Sequence, residues 1–223
     1  MTSVSLMRLL QLVSPALPVG AYAYSQSLEY AVDARWVTDE ETAFDWMQGV
    51  LLNSLTKTDL PIMSKLHVAW GNGQYNDVIY WNDYLCALRE TAELEAEDLQ
   101  VGQALKRLLI DLDIDQADEL KSIGSCCYAT VFSFACEKWS ITQEDALLAY
   151  AYAWVENQIA AAIKLVPLGQ TAGQRLIEKL MPVIDEAVKN SQLISEDVIG
   201  SSLPAMSMAS SLHETQYSRL FRS

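Results

Sequence analysis

DALLAYAYAWVENQIAAAIKL, residues 145–165, decides the fold. The stretch carries only three charges, Asp145, Glu156 and Lys164, and contains neither proline nor glycine. A helix apolar on nearly every side belongs inside a larger body, so 145–165 is expected to be the central, most buried helix. Its richest run, ALLAYAYAWV at 146–155, is well short of the ~20 apolar residues that cross a bilayer.

Helical signals continue on both sides. Segments 116–138 and 170–190 keep the helical period, and Leu88, Leu94, Leu99, Leu105 and Leu109 supply apolar positions within the charged stretch 76–110. Glu90, Glu93, Glu95, Glu97 and Asp98 crowd the rest of that stretch and are read as a solvated face. Asp59-Leu60-Pro61 opens another helix, since proline suits a first turn, and GNGQ at 71–74 closes it. Thr38-x-x-Glu41 has the pattern of a capping box for a helix over 39–55, and Ser25 can cap one running to Arg35. A first helix covers 4–12, with Leu6, Leu9, Leu10 and Val13 on one face. Residues 13–23 hold two prolines and a glycine and form a loop. Strand-like alternation is scarce. The expectation is one all-α domain, a bundle of about eight to ten helices, with a core over 1–202 and a distinct C-terminal segment, 203–223.

The chain has 223 residues, 51% hydrophobic and 20% charged, which excludes a disordered chain. Its net charge is −14. Such a surface repels phosphate backbones and anionic lipid, so no nucleic-acid or membrane partner is expected, and a basic-faced protein partner is favoured. Cys86, Cys126, Cys127 and Cys136 include no Cys-x-x-Cys pair and read as reduced, buried thiols of a cytoplasmic protein. The N-terminal stretch lacks the basic flank and long apolar core of a signal peptide.

Catalytic and metal motifs are missing. Asp111, Asp113 and Asp115 open like a calcium loop, but Gln116 and Ser122 occupy the positions that need Gly and Glu. The two histidines, His67 and His213, have no ligand partner one helical turn away. No phosphate-binding glycine loop and no nucleophile elbow occurs. These features favour a binding protein over an enzyme. The alternative is an all-α enzyme using paired carboxylates.

The segment LLQLVSPALPVGAYAYSQSLEYAV (9–32) resembles the N-terminal signature of the urease accessory protein UreF family, through Ser14, Pro18, Gly20, Tyr22, Ser25, Leu28 and Glu29. Three further blocks agree in order: 89–105, the 159–177 block with its Pro-Leu-Gly-Gln run ending at Gln170, and HETQYSRLFRS at 213–223. The resemblance implies a non-catalytic, dimeric all-α scaffold without a cofactor of its own. Such a scaffold bridges the accessory protein UreD (also called UreH) and the GTPase UreG and docks on apo-urease, where nickel is handled by the complex; a direct nickel chaperone is the further alternative. Partner-binding residues are then expected at Pro18, Gly20, Tyr22, Tyr24, Ser25 and Glu29, at Lys164 and Gln170, and at His213, Glu214, Tyr217, Arg219, Leu220, Phe221 and Arg222.

The residues themselves fit that role. Pro18 stiffens the loop, and Gly20 can take an unusual backbone angle. Tyr22 and Tyr24 suit either an interface or core packing. The stripe Leu212, Tyr217, Leu220 and Phe221 suits either docking within the chain or a partner groove. Because 203–223 alternates small residues with adhesive ones, it is expected to bury too little against itself and to order on binding a UreD-like partner.

Overall fold

The computed structural model describes residues 2–223, and among these no strand forms. Eleven α-helices follow one another: α1 (Ser3–Leu12), α2 (Leu28–Asp33), α3 (Glu40–Val50), α4 (Asp59–Gly71), α5 (Tyr75–Ala87), α6 (Ala92–Asp111), α7 (Glu119–Ser122), α8 (Tyr128–Lys138), α9 (Gln143–Leu165), α10 (Gln170–Ser191) and α11 (Pro204–His213). Two of them, α2 and α7, are only six and four residues long. No helix is long and apolar enough to cross a membrane among the described residues.

The charged stretch 76–110 divides into α5 and α6 because Arg89 turns inward there. Its guanidinium reaches Asp59 at 2.6 Å and Asp98 at 2.7 Å, and Thr91 then caps the new helix by accepting from the Leu94 amide. Asp98 also accepts the Tyr128 amide at 2.7 Å, so one buried cluster joins the starts of α4 and α8 to α6. Burial alone would depress Arg89, but the Asp59 and Asp98 carboxylates outweigh it and hold its pKa well above the ordinary value. A buried charge is tolerated only when paired in this way.

The segment 116–138 also divides, into α7 and α8. Here α6 crosses the start of α8 so closely that any side chain at Gly102 would collide with the Cys126 carbonyl. Every residue from Ala129 to Cys136 is buried, so α8 rather than α9 is the most completely enclosed helix. The central position does belong to α9, which touches α2, α3, α4, α8 and α10. Its outward edge, from Tyr152 to Asn157, remains partly accessible because α1 and the 13–27 loop cover it only in part. Charge poverty marked a helix with many neighbours, not one without a surface.

Smaller corrections have equally local causes. The capping box belongs to Asp39 and Thr42, one residue beyond the expected pair, because Asp39 has the extended backbone that lets its carboxylate accept the Thr42 amide. On α1, Leu9, Leu12 and Val13 face the core, whereas Leu6 and Leu10 are exposed. The Ser5 hydroxyl donates to the Trp139 carbonyl at 2.8 Å and Arg8 lies over the Trp139 ring, which fixes that roll of the helix. The four cysteines are free thiols, three of them buried.

Candidate partner-binding site

The C-terminal segment has a partner within the chain. It folds as α11, then runs as an extended strap across α2, the 20–27 loop and the first half of α6. Glu29, in the first turn of α2, is the hub: its carboxylate accepts the Leu220 amide at 2.6 Å, the Phe221 amide at 2.7 Å and Nε2 of His213 at 3.3 Å. Glu93 on α6 takes the other side of the same ring, 2.7 Å from Nδ1, and also accepts Arg219 at 2.6 Å. His213 is thereby enclosed completely between two carboxylates.

Farther along α6, Glu97 accepts the Ser223 hydroxyl at 2.5 Å and the Gln26 amide at 2.7 Å. Gln26 in turn accepts the Trp154 indole of α9 at 2.6 Å. Burial pushes the Glu97 carboxyl up to about 7, with the Ser223 and Gln26 hydrogen bonds opposing the rise. The Ser25 amide and hydroxyl both donate to the Ser223 carbonyl, at 2.8 and 2.6 Å, and the Arg222 amide donates to the Ala23 carbonyl. Gly20 is in the left-handed region at φ 80°, which glycine adopts without strain. Gln26 and Ser27 occupy that region without being glycines, held there by the surrounding hydrogen bonds.

These contacts sort the expected residues into two sets. Ser25, Glu29, His213 and Phe221 are buried, and Tyr24 joins them, its hydroxyl donating to Gln100 at 2.7 Å. Arg219 is tied to Glu93, and Lys164 lies 5.3 Å from the centroid of the Phe221 ring. Facing outward are Pro18, Tyr22, Glu214, Tyr217, Leu220 and Arg222, with Tyr22 66% and Leu220 65% exposed and Tyr217 wholly so. Leu212 and Met208 extend this exposed row along α11. Gln170 stands apart, exposed at the start of α10, and no hydrogen bond ties it to the strap. The expectation that 203–223 buries too little against the chain to be ordered is therefore corrected, because its polar anchors find three carboxylates 120 to 190 residues away.

Glu93, Glu97 and Gln26 hold this junction together, and the sequence alone did not single them out. The first two correct the view of α6 as a solvated acidic face. Their only advance signal is the four-residue spacing that stacks them on one side of the helix.

The arrangement suits recognition more than catalysis. Glu97 does line a partly open pocket of about 120 Å³ together with Asp98 and Arg89, a perturbed carboxylate in a pocket as the enzyme alternative required. Its oxygens, however, are engaged by Ser223 and Gln26, and Asp98 is engaged by Arg89 and Tyr128. No group of three His, Cys, Asp or Glu side chains is placed to hold a metal ion among the described residues.

The sequence profile of UreF matches residues 37–181. A protein from Alkalilimnicola ehrlichii described as urease accessory protein UreF is 49% identical over 97% of this chain and 95% of its own length. Proteins of the same description from Hahella chejuensis and Chromohalobacter salexigens are 48% and 45% identical over at least 93% of their lengths. The chain belongs to the UreF family. As a UreF-family protein it is a non-catalytic accessory factor of urease maturation. The match to the Hahella chejuensis protein covers the whole chain, so the strap and the 13–27 loop lie within the compared length.

Proposed function

We propose that the chain is the adaptor of urease maturation. It joins a UreD (UreH)-like accessory protein to a UreG-like GTPase and docks both on apo-urease, acting in the cytoplasm as a homodimer. The observation that carries this reading is the two-sided build of the strap. Buried His213 and Phe221 fix its inner side, while Tyr217, Leu220, Leu212 and Tyr22 present large side chains to solvent without an intrachain partner. Exposed aromatic and aliphatic groups on a rigid support are the usual anchors of a protein interface. An ordered strap also spares the partner the entropic cost of folding it, which strengthens binding.

In this reading nickel passes through the complex as cargo and is not held by the chain. Both nitrogens of His213 face carboxylates of the chain itself, and His67 gives Nε2 to the Ile141 carbonyl, so neither imidazole has an approach open on both sides. Titration of the isolated protein with nickel should show no stoichiometric binding at submicromolar concentration. Tight binding at one ion per chain would favour the nickel-chaperone alternative.

The adaptor role is tested by co-expression. Tagged UreG-like GTPase should recover the UreD-like protein only when this chain is present. Equal recovery without it would end the reading.

A further inference from the structure

A groove of about 390 Å³ runs beside the strap, between the 19–24 loop and α6. Arg222 of the strap and Arg107 of α6 both line it. Neither takes part in an ion pair among the described residues, although the chain carries 29 acidic side chains against 15 basic ones. Arg8 and Arg35 are likewise outside the ion pairs, but only Arg107 and Arg222 share a groove. Both are exposed.

The floor between them is suited to a peptide backbone. Gln100 and Gln103 lie one turn apart on α6. Gln100 spends its carbonyl oxygen on the Tyr24 hydroxyl and keeps its NH2 free, whereas Gln103 gives an N–H to the Gly124 carbonyl and keeps its oxygen free. One free donor beside one free acceptor is what a peptide group needs. Val19, Leu99 and Ala104 supply apolar wall, and Tyr22 stands at the rim. The walls are already fixed, by Arg222 N–H to Ala23 and Tyr24 to Gln100 and Asn157.

We propose that this groove receives an extended acidic segment of a partner protein, with its carboxylates on Arg107 and Arg222 and its backbone on Gln100 and Gln103. This deepens the adaptor reading and rests on it for the identity of the partner, not for the chemistry of the groove. The overall negative charge does not forbid such a ligand. At physiological ionic strength, charges beyond about 8 Å are screened, and the two local guanidinium groups decide the contact. Arginine also matches a carboxylate with two parallel hydrogen bonds, which lysine cannot do.

The test uses a fluorescein-labelled hexapeptide of alternating glutamate and leucine, its glutamine counterpart, and the full-length protein, read by fluorescence anisotropy. The glutamate peptide should bind, the glutamine peptide should bind at least tenfold more weakly, and raising the salt should weaken binding further. Arg107→Gln and Arg222→Gln should each lower affinity about three- to tenfold, and Arg222→Lys should not restore it fully. Equal binding of the two peptides, or parental affinity in the Arg107→Gln/Arg222→Gln protein, overturns the proposal. So does loss of dimerisation by that variant in light scattering, which would give the groove to a second copy. Copurification of the UreD-like protein by Tyr217→Ala separates the two readings. Lost copurification with no peptide binding leaves the adaptor and removes the groove; retained copurification with peptide binding does the reverse.

Discussion

Glu97 is the residue where burial and recognition meet. Its carboxyl is raised from 4.5 to about 7 because it is enclosed at the junction of α6, the 25–27 loop and the strap. The unfolded chain therefore loses this proton first as pH rises. Folding stability from this group is highest below about pH 4.5, falls between 4.5 and 7, and stays reduced above 7. The shift corresponds to roughly 3 kcal/mol. Opposing it at the acid end, Glu40 is held down to about 2 by hydrogen bonds from Arg175 and Lys179, and that support is lost as pH falls through this lower range. Thermal denaturation should show Tm declining from pH 5.5 to 8, and Glu97→Gln should remove most of the decline. A parental slope in the variant would place the titration elsewhere. Arg89→Ala, by contrast, strands Asp59 and Asp98 as buried charges and should cost about 3–5 kcal/mol in denaturant unfolding. At this scale the sequence was least informative. Periodicity places Glu93, Glu97 and Asp98 on a helix, but it cannot tell a solvated acid from one whose partner is Ser223 or Arg89, because those partners are brought near only by the fold.

Among elements, α8 and the strap depart most from what their sequences suggest. The helical period of 128–138 was legible, but its complete enclosure depends on α6 approaching at Gly102, and a lone glycine in a helix carries no mark of what crosses it. Gly102→Ala should separate α6 from the start of α8 and destabilise the protein by about 2–4 kcal/mol, measured by urea unfolding, since the obstacle is backbone that cannot move aside. The strap behaves as part of the body. Removing 213–223 leaves Glu29 and Glu93 without their partners, so Tm should fall by several degrees. An unchanged Tm would mean that the strap is only loosely held in solution. The composition of 203–223, with its serines, methionines and aromatic end, suggested a segment awaiting a partner. The exposed Tyr217 and Leu220 keep that adhesive character on the outer side, whereas the inner side is tied to Glu29, in a different quarter of the chain.

For the whole molecule, class and family were legible and the surface was only half so. Long periodic segments such as 143–165 and 170–190 declare helices at almost their final boundaries, and the absence of alternating runs excludes a sheet. The motif residues that carried the resemblance, Gly20, Ser25, Glu29, His213 and Phe221, mostly assemble one internal junction that holds the ends of the chain together. What faces solvent is the residue set between them. Tyr217 is wholly exposed and Leu220 mostly so, so their truncation should leave the fold intact and act on binding. The most direct measurement is copurification of the UreD-like protein with the Tyr217→Ala/Leu220→Ala variant, alongside its Tm. The account predicts a parental Tm with recovery of the partner reduced at least tenfold, an effect of roughly 1–3 kcal/mol for each anchor. Parental recovery of the partner by a variant with parental Tm would contradict it.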